Sequence, residues 1–210
     1  EAKSLENLKS ELIISDNEQI TFETLSGIIK CSFNTGKYLM QIPIPELNEF
    51  TGCKEDVLDA LGIERVDVCD LPFIILNNGY LFIALNSLKA LWNINPDFKY
   101  LNVLSNSHKE FFDIAVFTIE TVENNSSAHL RFFAPYHGID EDPVTGSACG
   151  PLLLVLNKLG LINNSMDDSL IQIEQGDVLD RKGRVLVKYN SANNELYIAG
   201  NAVTLIKGKM

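Results

Sequence analysis

No stretch of this 210-residue chain approaches the ~20 consecutive apolar residues of a membrane-spanning helix. Positive charge is also scarce: 17 Lys and Arg stand against 28 Asp and Glu, for a formal net charge of −11. The first absence excludes a helical membrane span. The second argues against a nucleic-acid partner, because binding a phosphate backbone wants a basic face. An anionic small molecule stays open, since backbone amides hold one without net positive charge. The four cysteines, Cys31, Cys53, Cys69 and Cys149, form no C-x-x-C pair and have no His at metal-ligand spacing, so no metal site is expected. They read as reduced core residues of a cytoplasmic protein, and nothing near Glu1 resembles a secretory signal. There is no solenoid-period repeat, and 46% apolar with 21% charged residues is a globular balance.

What is present is mainly strand signal. Gln19 to Thr24 alternates polar and apolar, Ser26-Gly27 marks a turn, and Ile28–Phe33 and Tyr38–Ile44 read as further strands. A helix is predicted over Lys54–Leu61, with Thr51 as its cap and Gly62 as its stop. Phe73–Leu76 and Tyr80–Leu85 form a hairpin across Asn77-Asn78-Gly79, whose Asn-Gly step supplies positive φ. Ser87–Trp92 is a second short helix, stopped before Pro96-Asp97. Strands follow at Asp113–Glu120, His129–Ala134, Ile171–Glu174, Arg184–Tyr189, Glu195–Ala199 and Val203–Ile206. Leu152–Leu159 is a helix apolar nearly all round, which must therefore be enclosed. Residues 1–12 read as the end of a short polar helix. The pattern is α+β, with antiparallel strands wrapped around one apolar helix.

Residues 131–152 carry the chemistry: a strand enters, the apolar helix leaves, and between them lie Asp140, Glu141, Asp142, Thr145, Ser147, His137 and Cys149 among glycines. A helix N-terminus has unpaired N–H groups and partial positive charge, so Thr145-Gly146-Ser147-Ala148 suits a carboxylate or a developing enolate. Gly146 permits close backbone approach, Ser147 can cap the helix or donate to a ligand, and Asp142 can take part in proton transfer. On local physics alone, a turn and a capped helix start explain the same residues equally well. His137 reads as a solvated loop residue, with His108 and His129 more so, Asp140 and Glu141 as solvated, and Cys149 as a packing residue. Gly146-Ser147-Ala148-Cys149-Gly150 is not a nucleophile elbow, which needs a Gly two residues before the Ser. No Lys follows the glycines, so it is no Walker A loop.

This segment resembles the motif of the PhzF-like (phenazine-biosynthesis-like) isomerases, relatives of diaminopimelate epimerase: an Arg-x-Phe-x-Pro strand, a Gly, then Glu-Asp-Pro-[Ala/Val]-Thr-Gly-Ser-Ala opening a helix. Arg131 to Pro135, Gly138 and Glu141 to Ala148 match it position by position. Weaker matches run along the chain, among them Phe22 to Gly27, Asn95-Pro96-Asp97, Glu174-Gln175-Gly176 and Ile198 to Val203. The resemblance implies two pseudo-symmetric, mainly antiparallel β-barrels, each around a central helix, with the active site in the cleft between them. On that plan residues 1–50 are the last part of a first, incomplete barrel, 51–190 a second barrel, and 191–210 strands returning to the first. It further implies a cofactor-independent isomerase that moves a proton within a small cyclic or unsaturated carboxylic or amino acid, working as a homodimer. Asp142 and Ser147 match the family's catalytic positions, and Gly146, Thr145 and Ala148 its substrate-binding segment. Epimerase relatives carry a Cys at the position of Thr145, so two-thiol racemisation is disfavoured here. The family's general-base Glu, in an Asn-x-Ser-Glu motif, and a following Gly-His motif occur nowhere in these residues. They are expected in a preceding segment of the same or a companion polypeptide. A binding protein that keeps the fold without the chemistry is the second reading, and a two-base epimerase the third.

Overall fold

The structure, a computed structural model, describes residues 19–24, 27–34, 36–107, 110–162 and 169–202. The helix read over 1–12, the turn residue Ser26, His108 and the strand Val203–Ile206 lie outside the described residues. The chain divides into two compact units, Glu1–Gln41 with Ala199–Met210, and Ile42–Ile198.

In the first unit, β1 (Gln19–Thr24), β2 (Gly27–Asn34) and β3 (Lys37–Ile42) form an antiparallel meander. Gly27 and Gly36 hold φ of 107° and 78° at its turns, a region closed to most side chains.

The second unit carries β4 (Leu47–Glu49), β5 (Ile74–Leu76), β6 (Tyr80–Ala84), β7 (Asp113–Thr118), β8 (Ser126–Ala134), β9 (Ile139–Asp142), β10 (Ile171–Gln175), β11 (Gly183–Asn190) and β12 (Glu195–Gly200). Its helices are α1 (Lys54–Leu61), α2 (Leu88–Asn93), α3 (Phe98–Ser107) and α4 (Gly146–Lys158). The sheet order is β4-β5-β6-β7-β8-β10-β11-β12, with β9 paired to β8. Alternate side chains point to opposite faces of a strand, and here both faces are covered. Leu81, Ile83, Ile114, Val116 and Phe133 pack on α1–α3, while Phe82, Ala84, Ala115, Phe117 and Phe132 pack on Leu152, Leu153, Val155 and Leu156 of α4. Strands buried on both sides read as unbroken apolar runs, and all six residues of β7 are buried. Ile173, Val187 and Leu196 bring β10, β11 and β12 to the same helix, so α4 is enclosed as its composition demands.

The pairing is mainly antiparallel, but two parallel neighbours make the sheet mixed, which the strand pattern does not show. β6 pairs β7 in parallel and β8 pairs β10 in parallel. Parallel neighbours need a long crossover, supplied by α2 with α3 in the first case and by α4 in the second. The sequence reading stops at Pro96-Asp97 and has no α3. The same residues are a start: Asp97 Oδ1 accepts from the Tyr100 N–H at 2.9 Å and Asp97 O from the Leu101 N–H at 2.8 Å. Asp97→Ala is expected to cost about 1 kcal/mol, read as a lower urea midpoint at unchanged slope.

Other boundaries follow local chemistry. Ser87 caps α2, its side chain accepting from the Ala90 N–H at 3.1 Å, and Gly62 ends α1 at φ 66°. The N-cap of α1 is Cys53, without a side-chain bond, in place of Thr51. α4 begins at Gly146, six residues before the predicted Leu152. Pro151 lies inside this helix, but the first turn closes ahead of it, the Ala148 and Cys149 N–H groups both donating to Thr145 O.

Candidate active site

The corner between β9 and α4 brings Asp142, Thr145, Gly146 and Ser147 to one helix N-terminus. Thr145 is the N-cap residue, and its Oγ1 donates to Asp142 Oδ2 at 2.6 Å. Buried Gln175, at the end of β10, ties the corner together. Its Nε2 donates to Asp142 O at 2.7 Å and Thr145 Oγ1 at 3.1 Å, while its Oε1 accepts from the Thr145 N–H at 2.9 Å and the Cys149 thiol at 3.6 Å. Such a primary amide offers two donors and two acceptor sites, and all four are used. Sequence reasoning noted Gln175 only as part of a weak match; its role comes from the parallel β8–β10 pairing, which local pattern does not reveal.

Of the N–H groups a helix start leaves unpaired, Thr145 gives its own to Gln175 and Ala148 gives its own to Thr145 O. The Gly146 and Ser147 N–H groups have no partner among the described residues. They are two adjacent donors at the positive end of a 13-residue helix, directly after Thr145, whose hydroxyl fixes the Asp142 carboxylate. A Cβ on Gly146 would come within 2.8 Å of Ile198 Cδ1, so the small residue lets Ile198 pack close against the helix start. The Ala148 side chain faces the core, whereas Ser147 is exposed. Ser147 does not cap the helix: it lies in the first turn, its Oγ 3.1 Å from the hydroxyl of Tyr80 at the start of β6. Tyr80, missed from sequence, packs edge-on against Phe132 with 5.0 Å between ring centroids.

Burial and the Asp142 charge push the Cys149 thiol up, so it stays protonated and acts in packing. Asp140 is exposed as expected, but Glu141 is not solvated: it forms a two-pronged pair with Arg131, both side chains nearly buried. A buried guanidinium needs such a partner, and residue spacing alone does not show where one lies. His129 is likewise no loop residue. It is fully buried on β8, its Nδ1 2.8 Å from Glu174 Oε2. His137 is half-exposed, its Nε2 3.4 Å from Asp113 Oδ2.

Asp113 has a titration consequence. Burial raises its carboxyl from 3.8 to about 6, with His137 pulling the other way, and its Oδ1 has no partner. With the folded pKa above the unfolded one, the stabilising contribution is complete below the ordinary carboxylate value and is lost as pH rises through about 6. Asp113→Asn is therefore expected to raise stability by up to about 2–3 kcal/mol at about pH 8 and to change it little at about pH 4. Urea midpoints at the two pH values check this.

Two hollows of the second unit lie away from this corner. One of about 290 Å³ borders Asn48 to Thr51, and one of about 460 Å³ borders Trp92 and Asp177. No helix of the described residues is long and apolar enough to cross a membrane.

A family model described as phenazine biosynthesis-like protein (PhzC-PhzF) matches residues 4–208. An uncharacterised isomerase of Clostridium acetobutylicum is 33% identical over 165 residues, which are 75% of this chain and 54% of that protein. A trans-2,3-dihydro-3-hydroxyanthranilate isomerase of Pseudomonas fluorescens is 30% identical over 204 residues, 92% of this chain and 68% of that protein. The chain thus spans between about half and two thirds of these relatives' length. Among solved structures, the Bacillus anthracis phenazine biosynthesis protein of the PhzF family superposes with a TM-score of 0.74 at 24% identity, covering 90% of this chain and 67% of that one.

Proposed function

Since the chain belongs to the PhzC-PhzF family of phenazine biosynthesis-like proteins, we propose that it contributes the acid-binding half of an isomerase that shifts a proton within a small cyclic or unsaturated carboxylic acid. The observation carrying this reading is the pair of open amides at Gly146 and Ser147 beside the fixed carboxylate of Asp142. The substrate carboxylate accepts from both amides, where the helix start favours negative charge. As a proton leaves the neighbouring carbon, charge flows into that carboxylate, and donors already in place stabilise it without reorganisation. Asp142 takes or returns the proton; the Thr145 hydroxyl holds its carboxylate and the Gln175 amide its backbone carbonyl. In the pair formed by the Ser147 and Tyr80 hydroxyls one proton is shared between them, and the other donates to a polar substituent of the bound acid. Asp142 and Ser147 are thus the proposed catalytic residues, with Thr145, Gly146 and Ala148 forming the substrate-binding turn; no cofactor takes part in the steps assigned here. A cytoplasmic homodimer remains part of the proposal.

The substrate of the Pseudomonas fluorescens relative, trans-2,3-dihydro-3-hydroxyanthranilate, leads the panel to be tried. Solvent deuterium uptake from heavy water, followed by proton NMR across that panel, tests the reading. Enzyme-dependent exchange at one carbon is expected. Binding without exchange by any member would favour a fold-retaining binder. Inversion at a single stereocentre would favour an epimerase, although the oxygen of Thr145 stands where that chemistry needs a thiol.

A further inference from the structure

The hollow of about 460 Å³ beside Trp92 has the size of a small-molecule site, which spans about 300–1,000 Å³. Its lining is chemically graded. Trp92, Val122 and Val178 are apolar and each more than two fifths exposed, an unusual concentration of greasy surface. Asp177, Asp180 and Lys182 complete the wall. Asp177 is already committed, held by both terminal nitrogens of Arg184 at 2.9 Å. The other two make no direct pair: among the described residues neither the Asp180 carboxylate nor the Lys182 ammonium has an ion-pair or hydrogen-bond partner, although the Lys182 charge helps to hold the Asp177 carboxyl below its usual range. Asp180 is held at a φ of 53°, where a non-glycine residue is uncommon. The loop fixing it folds back on itself through the Asp180 and Arg181 N–H groups, which donate to Asp177 O and Gly176 O. Beneath the wall, His129 is fully buried, packs edge-on against Trp92 with 6.2 Å between centroids, and turns its Nε2 to Asp177 Oδ2 at 3.7 Å, beyond hydrogen-bond reach.

We propose that this hollow binds a small zwitterionic amino acid with an apolar or aromatic side chain. The ligand carboxylate meets Lys182, its ammonium meets Asp180, and its side chain covers Trp92 and the two valines. A free cation and a free anion on one rim, above an apolar floor, complement that class better than a simple anion or cation, either of which would leave one rim charge opposed. Occupancy is transmitted to the candidate active site through the shared loop between β10 and β11. That loop packs with Gly176 against Pro143 O and with Gly183 against Val144, and a Cβ at either glycine would collide there. Gln175, immediately before it, holds Asp142 and Thr145. The transmission, but not the binding site, rests on the reading of that corner as the active site.

L-phenylalanine titrated into the full chain tests the proposal, read by Trp fluorescence with Trp92→Phe as the control for the source of the signal. A saturable change is expected. It should weaken about tenfold or more in Lys182→Gln and in Asp180→Asn, which suits the left-handed backbone, and equally for phenylalaninamide, which lacks the carboxylate. Asp142→Asn should leave it unchanged, separating this site from the corner that also attracts carboxylates. No saturable change, or full affinity retained in both Lys182→Gln and Asp180→Asn, overturns the site. Saturation that leaves the Val144 and Thr145 amide NMR signals unmoved overturns the transmission while leaving the site standing.

Discussion

Asn in place of Asp142 is expected to lower turnover of the proposed proton shift by about 10²–10⁴-fold, the usual contribution of a positioned acid or base. The substitution suits the question because it is nearly isosteric. The Thr145 hydroxyl donates to Asp142 Oδ2 at 2.6 Å and the Val144 N–H to Oδ1 at 3.4 Å; the one amide oxygen of Asn keeps the short contact and gives up the long one, so the corner keeps most of its shape. What disappears is the ability to carry a proton. The expected signature is therefore a fall in kcat with KM changed by less than a few-fold, since the amides that bind the acid are untouched. A fall confined to KM would make Asp142 a binding residue. Unchanged kcat and KM would remove it from the chemistry.

The largest stability effect is expected at Arg131. Four of its N–H groups are engaged: Nε and Nη2 donate to Glu141 at 2.8 Å each, and Nη1 donates to Leu91 O at 3.1 Å and Ile94 O at 2.9 Å. The guanidinium also lies over the Phe133 ring, 5.0 Å from its centroid. One side chain thus joins β8 to the end of α2 and fixes β9 just before Asp142. Arg131→Met leaves a buried Glu141 without a counter-ion and two carbonyls without a donor, at a cost of about 3–5 kcal/mol. Adding Glu141→Leu should recover much of this, because the stranded charge is then gone. Arg131→Lys should not, since an ammonium cannot meet a carboxylate in two prongs and reach both carbonyls. Chemical denaturation of the three variants against the parent decides it. A double variant no more stable than the single one would show that the carbonyl contacts, not the ion pair, carry the effect.

The features legible in the sequence are those whose cause is local. Asn77-Asn78-Gly79 gives its hairpin because Gly79 supplies a φ of 86°. Ser87 and Gly62 punctuate their helices, and the apolar run of α4 announces its enclosure. The motif from Asp142 to Ser147 falls at a strand-to-helix corner because Pro143 has no N–H to continue the ladder and the helix starts three residues later. What stayed hidden has non-local causes. α3 is built from weak helix formers, among them Asn102, Ser105, Asn106 and Ser107, and owes its stability to Leu101 and Leu104 in the core. Parallel pairing of β6 with β7 and of β8 with β10 follows from crossover geometry once helices are placed, so missing α3 also hid the first crossover. Gln175, Tyr80 and Glu141 act on residues far away in sequence, and a lone polar residue in an apolar strand does not show what it will touch. Buried polar side chains of that kind are the places to look for partners once a fold is in hand.

Titration of the amide NMR signals with benzoate, a plain cyclic carboxylate, bears most directly on the corner between β9 and α4. Hydrogen bonding to an anion moves an amide proton downfield, and the two open donors belong to Gly146 and Ser147. Those two signals should move furthest and saturate together, with Thr145 and Ala148 following weakly because their N–H groups are already engaged. Saturation at other residues while Gly146 and Ser147 stay still would mean that the acid is held elsewhere.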